Sequence, residues 1–173
     1  CAPFASDEGR AYYGAMCAAA NMSFANRQVS QHRIGEVFAE VLGKSPDRLG
    51  LRNVYDVSHN TAKLETHLLH GRPRELLVHR KGATRALPPK HPDLPPAYRE
   101  TGQPVILGGS METGSYVLAA LPGSNASFWS TAHGSGRTMS RRQARRLVGG
   151  RELQDRMAAQ GILVRTATLH GLA

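Results

Sequence analysis

A histidine followed by small residues is the most suggestive chemical feature of this sequence. Gly134, Ser135 and Gly136 come directly after His133, so little side-chain bulk surrounds the imidazole. Backbone amides of such a turn can approach a phosphate closely while the ring stays accessible. The motif predicts attack on a phosphoryl group or binding of one, although a tetrapeptide this short can also be a plain turn.

Basic side chains cluster just beyond this histidine. Arg137 and Arg141 stand nearest to it, and the sequence continues with Arg142, Arg145 and Arg146. A guanidinium group can bind two phosphate oxygens at once. We therefore expect these arginines to neutralise phosphate oxygens.

A second glycine-rich segment runs from Gly108 to Ser115. Its spacing imitates a P-loop, but Ser115 stands where that motif requires lysine, so the Walker interpretation fails. The glycines Gly108 and Gly109 with the hydroxyls of Ser110 and Ser115 could still cradle a nucleotide. An ordinary turn between strands explains the segment about as well.

His59 follows an apolar segment that we predict to be a strand over residues 53–59, and functional side chains often lie at strand ends. With Asn60 as a hydrogen-bonding neighbour, this imidazole could be a metal ligand. Metal sites need three or four protein donors, so a purely structural role for a lone histidine is the alternative.

A basic, glycine-containing stretch follows at residues 80–85. Arg80, Lys81 and Arg85 could grip a nucleic-acid backbone, and a solvated charge run is the alternative. Composition leaves the same choice open: 22 lysines and arginines against 13 acids give a net charge of +9. That charge indicates either a polyanionic partner or a solubilising surface.

The length of 173 residues fits one domain. No apolar run approaches the roughly 18 residues of a membrane span, so we expect no membrane insertion. The only cysteines, Cys1 and Cys17, form neither a CxxC site nor a disulfide framework, which suits a reducing cytosol.

Hydrophobic periodicity and turn residues predict the elements that carry these side chains. A helix, or two abutting helices, should run from the Ser6 cap to about Leu42 and end at Gly43, with a buried stripe on one face. The stripe comprises Tyr12, Met16, Ala19, Ala20 and Phe24. Residues 62–68 and 75–79 should pair as an antiparallel hairpin across residues 70–72.

The second half of the chain should contain shorter elements. We predict a proline-rich surface loop over residues 81–96, strands at 105–107 and 115–121, and an apolar piece at 127–130 that opens onto His133. Helices should follow at 140–147 and 152–160, with a last strand at 162–165. This order lacks regular βαβ alternation and favours an α+β fold with mixed, largely antiparallel sheets and flanking helices.

Several motifs follow one another along nearly the full chain. They are Cys1-Ala-Pro with Glu8-Gly9, Ala19-Ala20-Asn21 with Ala25-Asn26-Arg27-Gln28, Tyr55-Asp-Val-Ser-His59-Asn60, His79-Arg-Lys-Gly-Ala-Thr-Arg85-Ala86, Gly102-Gln-Pro-Val-Ile-Leu-Gly-Gly-Ser110-Met111 with Ser115-Tyr116, and Ser130-Thr-Ala-His133-Gly-Ser-Gly-Arg137 with Ser140-Arg141. In this order the motifs resemble the RtcB family of GTP-dependent RNA ligases, and several motifs in register are more specific than any one of them.

The resemblance implies a role for each matching residue. His133 matches the histidine that becomes guanylylated, and His59 matches a manganese ligand, with Asn60 touching the nucleotide. Nucleotide contacts are implied for Gly108, Gly109, Ser110, Met111, Ser115, Gly134, Ser135 and Gly136, and phosphate or RNA contacts for Lys81, Arg137 and Arg141.

The implied reaction joins an RNA 3′-phosphate or 2′,3′-cyclic phosphate end to a 5′-hydroxyl end. Neutral His133 attacks the α-phosphate of GTP with Mn²⁺ assistance, and GMP then passes to the RNA. The resemblance implies that transfer-RNA halves or broken RNAs are the substrates. It also implies an archease-type protein as an activator and the cytoplasm as the location of the reaction.

The sequence departs from the family pattern at both ends. The family's other metal ligands, an aspartate, a cysteine and two further histidines, precede anything present here, and its last segment, with a nucleotide-contacting lysine, also has no match. We therefore expect residues 1–173 to be the carboxy-terminal portion of one catalytic domain. Three alternatives explain the missing segments: the chain is a fragment of a longer ligase, a truncated relative of the family, or the downstream piece of a chain interrupted by an intein.

Two other functions fit the same residues. A truncated, noncatalytic remnant would bind RNA or nucleotide without joining ends. An unrelated phosphohistidine enzyme would use His133 for phosphoryl transfer alone.

Overall fold

A computed structural model describes residues 1–110 and 113–169, with the backbone alone described at positions 141 and 145. These residues form two compact units. Unit 1 comprises Cys1–Leu107 and Tyr116–His133, and unit 2 comprises the described residues of Gly108–Ser115 and Gly134–Ala173. Within the described part of the chain, no helix combines the length and apolar character that crossing a membrane requires.

Unit 1 begins with one long helix, as predicted. Helix α1 spans Asp7–Leu42, and its first turn is capped because the Ser6 hydroxyl accepts a hydrogen bond from the Gly9 amide. The helix ends where Gly43 adopts φ 64°, a conformation that glycine enters at little cost.

The predicted hairpin is confirmed. Strand β1 (Asn60–Leu69) pairs antiparallel with β2 (Arg72–Lys81), and the register places Asn60 opposite Lys81. The two turn residues, His70 and Gly71, both have positive φ, 50° and 75°. That backbone matches the right-handed twist of the flanking strands.

The predicted buried stripe of α1 was wrong. Tyr12 and Ala19 are exposed, Met16, Ala20 and Phe24 are half-buried, and Gly9 is the buried residue of the helix. A helix of 36 residues is about 54 Å long, whereas β1, the strand it packs on, is shorter and covers only part of its length.

The predicted strand at residues 53–59 was also wrong, because residues 51–58 form no regular element. Local contacts hold this segment instead of a ladder. The Tyr98 hydroxyl donates to the Val54 carbonyl, Tyr55 packs edge-on against Tyr98, and Asp56 accepts from Arg27 Nε at 2.7 Å.

The remaining strands of unit 1 pair across long sequence separations. Strand β3 (Ala83–Arg85) pairs antiparallel with β6 (Ser130–Ala132), and β4 (Pro104–Leu107) with β5 (Tyr116–Ala119). Short 3-10 helices lie at Pro96–Tyr98 and Ser124–Ser127. The surface loop predicted to start at Lys81 therefore begins later, since Thr84 in β3 is buried.

A small core lies beside these strands. Ala86, Val105 and Ala120 pack together, and the buried Gln103 side chain supports them, because its Nε2 donates to the Arg85 carbonyl at 2.7 Å. The backbone amide of Gln103 also donates a hydrogen bond to the Leu87 carbonyl. A buried amide that finds such partners fixes its neighbours without leaving polar groups unsatisfied.

Unit 2 is helical. Helix α2 spans Arg141–Leu147 with Ser140 as its cap, and α3 spans Gly150–Ala159 around the buried Leu153 and Met157. Both helices were predicted, but the final strand at 162–165 was wrong: Ile162 and Val164 pack against Leu153 and Met157 without strand pairing. Helices with small antiparallel sheets confirm the α+β class.

Candidate active site

Both strands of the hairpin fix the position of His59. The residue immediately precedes β1, and its carbonyl accepts a hydrogen bond from the Gly82 amide at 2.9 Å, just beyond the end of β2. Asn60 and Lys81 face each other at the same end of the ladder, and both side chains are exposed. The open end of the hairpin therefore gathers an imidazole, an amide and an ammonium group.

The pairing of β3 with β6 delivers His133 to this end. Ala83 lies opposite Ala132, so His133 follows at the level of Gly82. A Cβ atom built on Gly82 would lie 3.3 Å from His133 Nε2, and Gly82 has φ 69°. Only glycine meets both demands without strain.

The two imidazoles stack on each other. The ring centroids of His59 and His133 are 4.6 Å apart, and the ring planes meet at 19°. Both residues are exposed. The structure thus brings together the two histidines that the sequence singled out. Both imidazole rings remain accessible to a ligand.

Arg80 does not have the nucleic-acid-binding role that the sequence suggested for it. Its guanidinium is buried and donates to both carboxylate oxygens of Glu65 at 2.7 and 2.8 Å, so it does not reach a nucleic-acid backbone. Burial acts to raise the pKa of Glu65, but hydrogen bonds from Arg80 and His67 outweigh it and the pKa lies below its usual value.

In unit 2, the two glycine-rich segments lie side by side. Gly108 and Gly134 form a parallel bridge, and the Ser135 amide donates to the Gly108 carbonyl at 2.8 Å. A Cβ atom on Gly109 would fall 1.6 Å from the Gly114 carbonyl oxygen, so this position accepts glycine alone. The backbone is therefore closely packed.

The hydroxyls of the first segment bind their own backbone. Ser115 Oγ accepts from the Gly109 amide at 3.2 Å, and Ser110 and Thr113 exchange hydrogen bonds between their amides and hydroxyls. The fold of the turn is thus defined without a ligand. Thr113 was not singled out on sequence, because an isolated threonine carries no pattern.

The other predicted site residues of unit 2 are placed in part. Gly136 has φ 75°, and Arg137 is exposed beside it. Arg141 begins α2, and its side chain, like the whole of Met111, lies outside what the structure describes.

A metal site is incomplete among the described residues. No group of three histidine, cysteine, aspartate or glutamate side chains within residues 1–110 and 113–169 is arranged to hold an ion. His59 offers one imidazole donor, whereas protein sites for such ions use three or more. The described residues therefore do not fit a whole manganese site.

Comparison with known proteins identifies the family. The family model described as "tRNA-splicing ligase RtcB" matches residues 1–173. The chain is 49% identical to the tRNA-splicing ligase RtcB of Thermococcus kodakarensis over 99% of its length, and 49% identical to the RNA-splicing ligase RtcB of Mycobacterium tuberculosis over 100%. It spans only 36% and 39% of those two relatives. The chain belongs to the RtcB family.

Proposed function

We propose that the protein containing this chain joins RNA ends through a covalent His133–GMP intermediate. The observation that carries the proposal is the pair of exposed, stacked imidazoles of His59 and His133 over Gly82. The relatives named as RNA-splicing ligases support the RNA substrate. The net charge of +9 suits a polyanion.

The first step is a phosphoryl substitution at the α-phosphate of GTP. A neutral His133 nitrogen attacks the phosphorus, a phosphorus–nitrogen bond forms, and the bond to pyrophosphate breaks. The exposure of His133 permits this attack.

The GMP group is then transferred from His133 to the RNA 3′-phosphate. An oxygen of the RNA 3′-phosphate attacks the GMP phosphorus, and the phosphorus–nitrogen bond to His133 breaks. The 5′-hydroxyl of the second RNA end next attacks the activated 3′-phosphate, loses its proton, and GMP leaves. A 2′,3′-cyclic phosphate end is first opened by water to the 3′-phosphate.

The remaining site residues bind and orient the substrates. We assign the nucleotide to Asn60 and to the turn residues Gly108, Gly109, Ser110, Met111, Ser115 and Gly134–Gly136, and phosphates of RNA to Lys81, Arg137 and Arg141. The exposed Lys81 ammonium lies across the ladder from Asn60, which supports phosphate binding next to the histidines.

Manganese is proposed on the chemistry of His59 alone. An imidazole is a suitable ligand, and a divalent cation would neutralise charge on phosphoryl oxygens. Because no group of three such side chains among the described residues is arranged to hold an ion, we propose that the other ligands lie outside the described residues. The free thiols of Cys1 and Cys17 suit the cytoplasm, and an archease-type activator belongs to the same proposal.

A noncatalytic remnant that binds RNA or nucleotide is the second candidate. The observation that favours it is that no group of three histidine, cysteine, aspartate or glutamate side chains in the described part of the chain is arranged to hold an ion. Such a protein would bind RNA through the same exposed cations but would form no covalent adduct.

The experiment is adduct formation with radiolabelled GTP. The protein, expressed at its full natural length, is incubated with Mn²⁺ and GTP labelled on the α-phosphate. We expect an acid-labile, alkali-stable label that His133→Ala abolishes and that His79→Ala retains, since His79 is an exposed histidine on β2 to which we assign no contact with GTP. An unlabelled protein supports the remnant, and label transferred from the γ-phosphate supports a phosphohistidine enzyme.

A further inference from the structure

A buried charge network lies on the hairpin outside the candidate active site. Arg80 and Glu65 form a bidentate ion pair, and Glu65 Oε2 is also 2.9 Å from His67 Nε2. Arg80 is 3% exposed and His67 is 4% exposed. With both partners satisfied, the guanidinium is held rigidly.

The rest of the Arg80 guanidinium faces the segment that leads into β6. Nε donates to Ser130 Oγ at 2.9 Å, and Nη2 donates to the Phe128 carbonyl at 2.8 Å. One side chain therefore links the Glu65 carboxylate of the hairpin to the two ends of residues 128–130, which we call the elbow.

The backbone of the elbow adopts a conformation that non-glycine residues disfavour. Phe128 has φ 52° and Trp129 has φ 49°, both in the left-handed region. Surrounding structure must hold such residues in place. Besides the bonds from Arg80, His67 packs against both rings, with centroid distances of 5.0 Å to Phe128 and 4.4 Å to Trp129.

The elbow determines where His133 lies. Strand β6 starts at Ser130, contains 3 residues, and ends immediately before His133. So short a ladder specifies its own register weakly, and a slip of one residue would turn every side chain to the opposite face. A fixed starting point for β6 is therefore needed to keep His133 above Gly82.

We propose that Arg80 is a positioning residue for His133, acting through Ser130 and the Phe128 carbonyl. The inference rests on the proposed function, because it assigns Arg80 the task of holding the guanylylated histidine against His59. Arg80 itself contacts no substrate. The Arg80–Glu65 pair provides the rigid attachment, and the strained elbow transmits it to β6.

Two substitutions test the inference without leaving a buried carboxylate unpaired, as Arg80→Ala would. Arg80→Lys keeps a positive charge beside Glu65 but lacks the planar fork that reaches Ser130 and Phe128 together. Ser130→Ala removes the hydrogen bond from Arg80 Nε and the one that the Ser130 hydroxyl donates to the Phe128 carbonyl, and it leaves the Arg80–Glu65 ion pair intact. Arg74→Lys, an exposed arginine on the same strand, is the matched control.

The first readout is the rate of His133–GMP formation in the full-length protein. Because a displacement of about 1 Å can slow a reaction on the order of 100-fold, we expect Arg80→Lys to lower the rate at saturating GTP at least tenfold. Ser130→Ala should act in the same direction by a smaller factor. The GTP concentration at half-saturation should stay unchanged, which a general loss of structure would not produce.

The second readout is independent of activity. In protein labelled at its histidines, proton NMR should show cross-relaxation between the stacked rings of His59 and His133, which are 4.6 Å apart. We expect this signal in the parent and in Arg74→Lys, and its weakening in Arg80→Lys and Ser130→Ala. Circular dichroism verifies that each variant is folded.

The outcomes separate the two proposals. If the parent forms no adduct, the proposed function fails, and the ring signal alone decides whether Arg80 positions His133. Unchanged adduct rates and an unchanged ring signal in both folded variants overturn the inference. Should Arg80→Lys fail to fold, Ser130→Ala decides, since it leaves the ion pair in place.

Discussion

The contact between Gly82 and His133 ties the backbone conformation of one residue to the side-chain position of another. Gly82 combines φ 69°, an amide that donates to the His59 carbonyl, and a free space that the His133 ring occupies. A methyl group at this position would press on Nε2, the ring atom 3.3 Å away. A single glycine therefore sets the arrangement of both histidines.

Gly82→Ala should weaken the site beyond its effect on stability. The left-handed backbone costs alanine about 1–2 kcal/mol, and the added methyl should displace His133, so we expect a large fall in the rate of adduct formation. Urea denaturation and α-labelled GTP measure the two effects.

Gly71→Ala is the matched control. Gly71 has φ 75°, and no atom lies within 4 Å of an added Cβ. It should lose a similar amount of stability and keep its adduct rate. Equal adduct rates in the two variants would contradict the positional role of Gly82.

The hairpin β1–β2 carries the site at one end and the Glu65–Arg80–His67 network within it. Unlike the exposed ion pairs on α1, such as Arg33 with Glu36, the Glu65 carboxylate is largely buried. Exposed pairs contribute little to stability, whereas breaking a buried pair is costly. The acid stability of the element should therefore depend on Glu65.

Glu65 should make unit 1 sensitive to acid. Because the folded-state pKa of Glu65 lies below its ordinary value of 4.5, the unfolded chain binds more protons in this range. The stabilisation is complete above pH 4.5 and is lost as the pH falls through the lower, folded-state value. Urea midpoints measured across this range should fall for the parent.

Glu65→Gln should be less stable at neutral pH and should show a smaller loss between neutral and acidic pH. Glu75→Gln, an exposed carboxylate on β2, should follow the parent. A parallel pH profile for Glu65→Gln and the parent would contradict the role of the network.

The two serine caps predict local effects on helices. Ser140 Oγ accepts from the Gln143 amide at 3.2 Å, and Ser6 Oγ accepts from Gly9 at 3.1 Å. Ser140→Ala should destabilise α2 by about 0.5–2 kcal/mol and raise hydrogen exchange there. Ser6→Ala should raise hydrogen exchange only in the first turn of α1. Exchange that rises in both helices for either variant would show that the caps do not act locally.

Much of the element list could be predicted from the sequence. The caps at Ser6 and Ser140, the stop at Gly43 and the β1–β2 hairpin follow from local signals that the structure retains. The apolar segments at 53–59 and 162–165 failed as strands because alternation does not reveal whether a partner strand exists. Tertiary contacts determine the conformation of both segments: Tyr98 contacts the first, and Met157 packs against the second.

The candidate site was predictable by residue but not by geometry. His59 and His133 were both singled out, yet no local pattern indicates that β3 pairs with β6 and stacks their rings. Arg80 was misjudged for the same reason: a basic run does not show which of its members is buried against a carboxylate. The roles assigned to these residues, and the expectation of a single domain, stay predictions.

The molecule as a whole should bind RNA electrostatically. Each phosphate contact contributes a slope of about −0.7 to log K against log salt on a single strand. Lys81→Ala should therefore make the slope less negative by about 0.7, and Arg137→Ala should act likewise. Lys90→Ala, an exposed lysine of the proline-rich loop, is the control. A flat salt response, or equal slopes in all variants, would remove these phosphate contacts.

Locating the covalent guanylate on the chain directly tests the proposed His133–GMP intermediate. The full-length protein is treated with GTP and Mn²⁺, digested at alkaline pH, and its peptides are sequenced by mass spectrometry. We expect GMP on His133 and on no other residue. GMP attached to Lys81, the exposed amine at the same end of the hairpin, would contradict it.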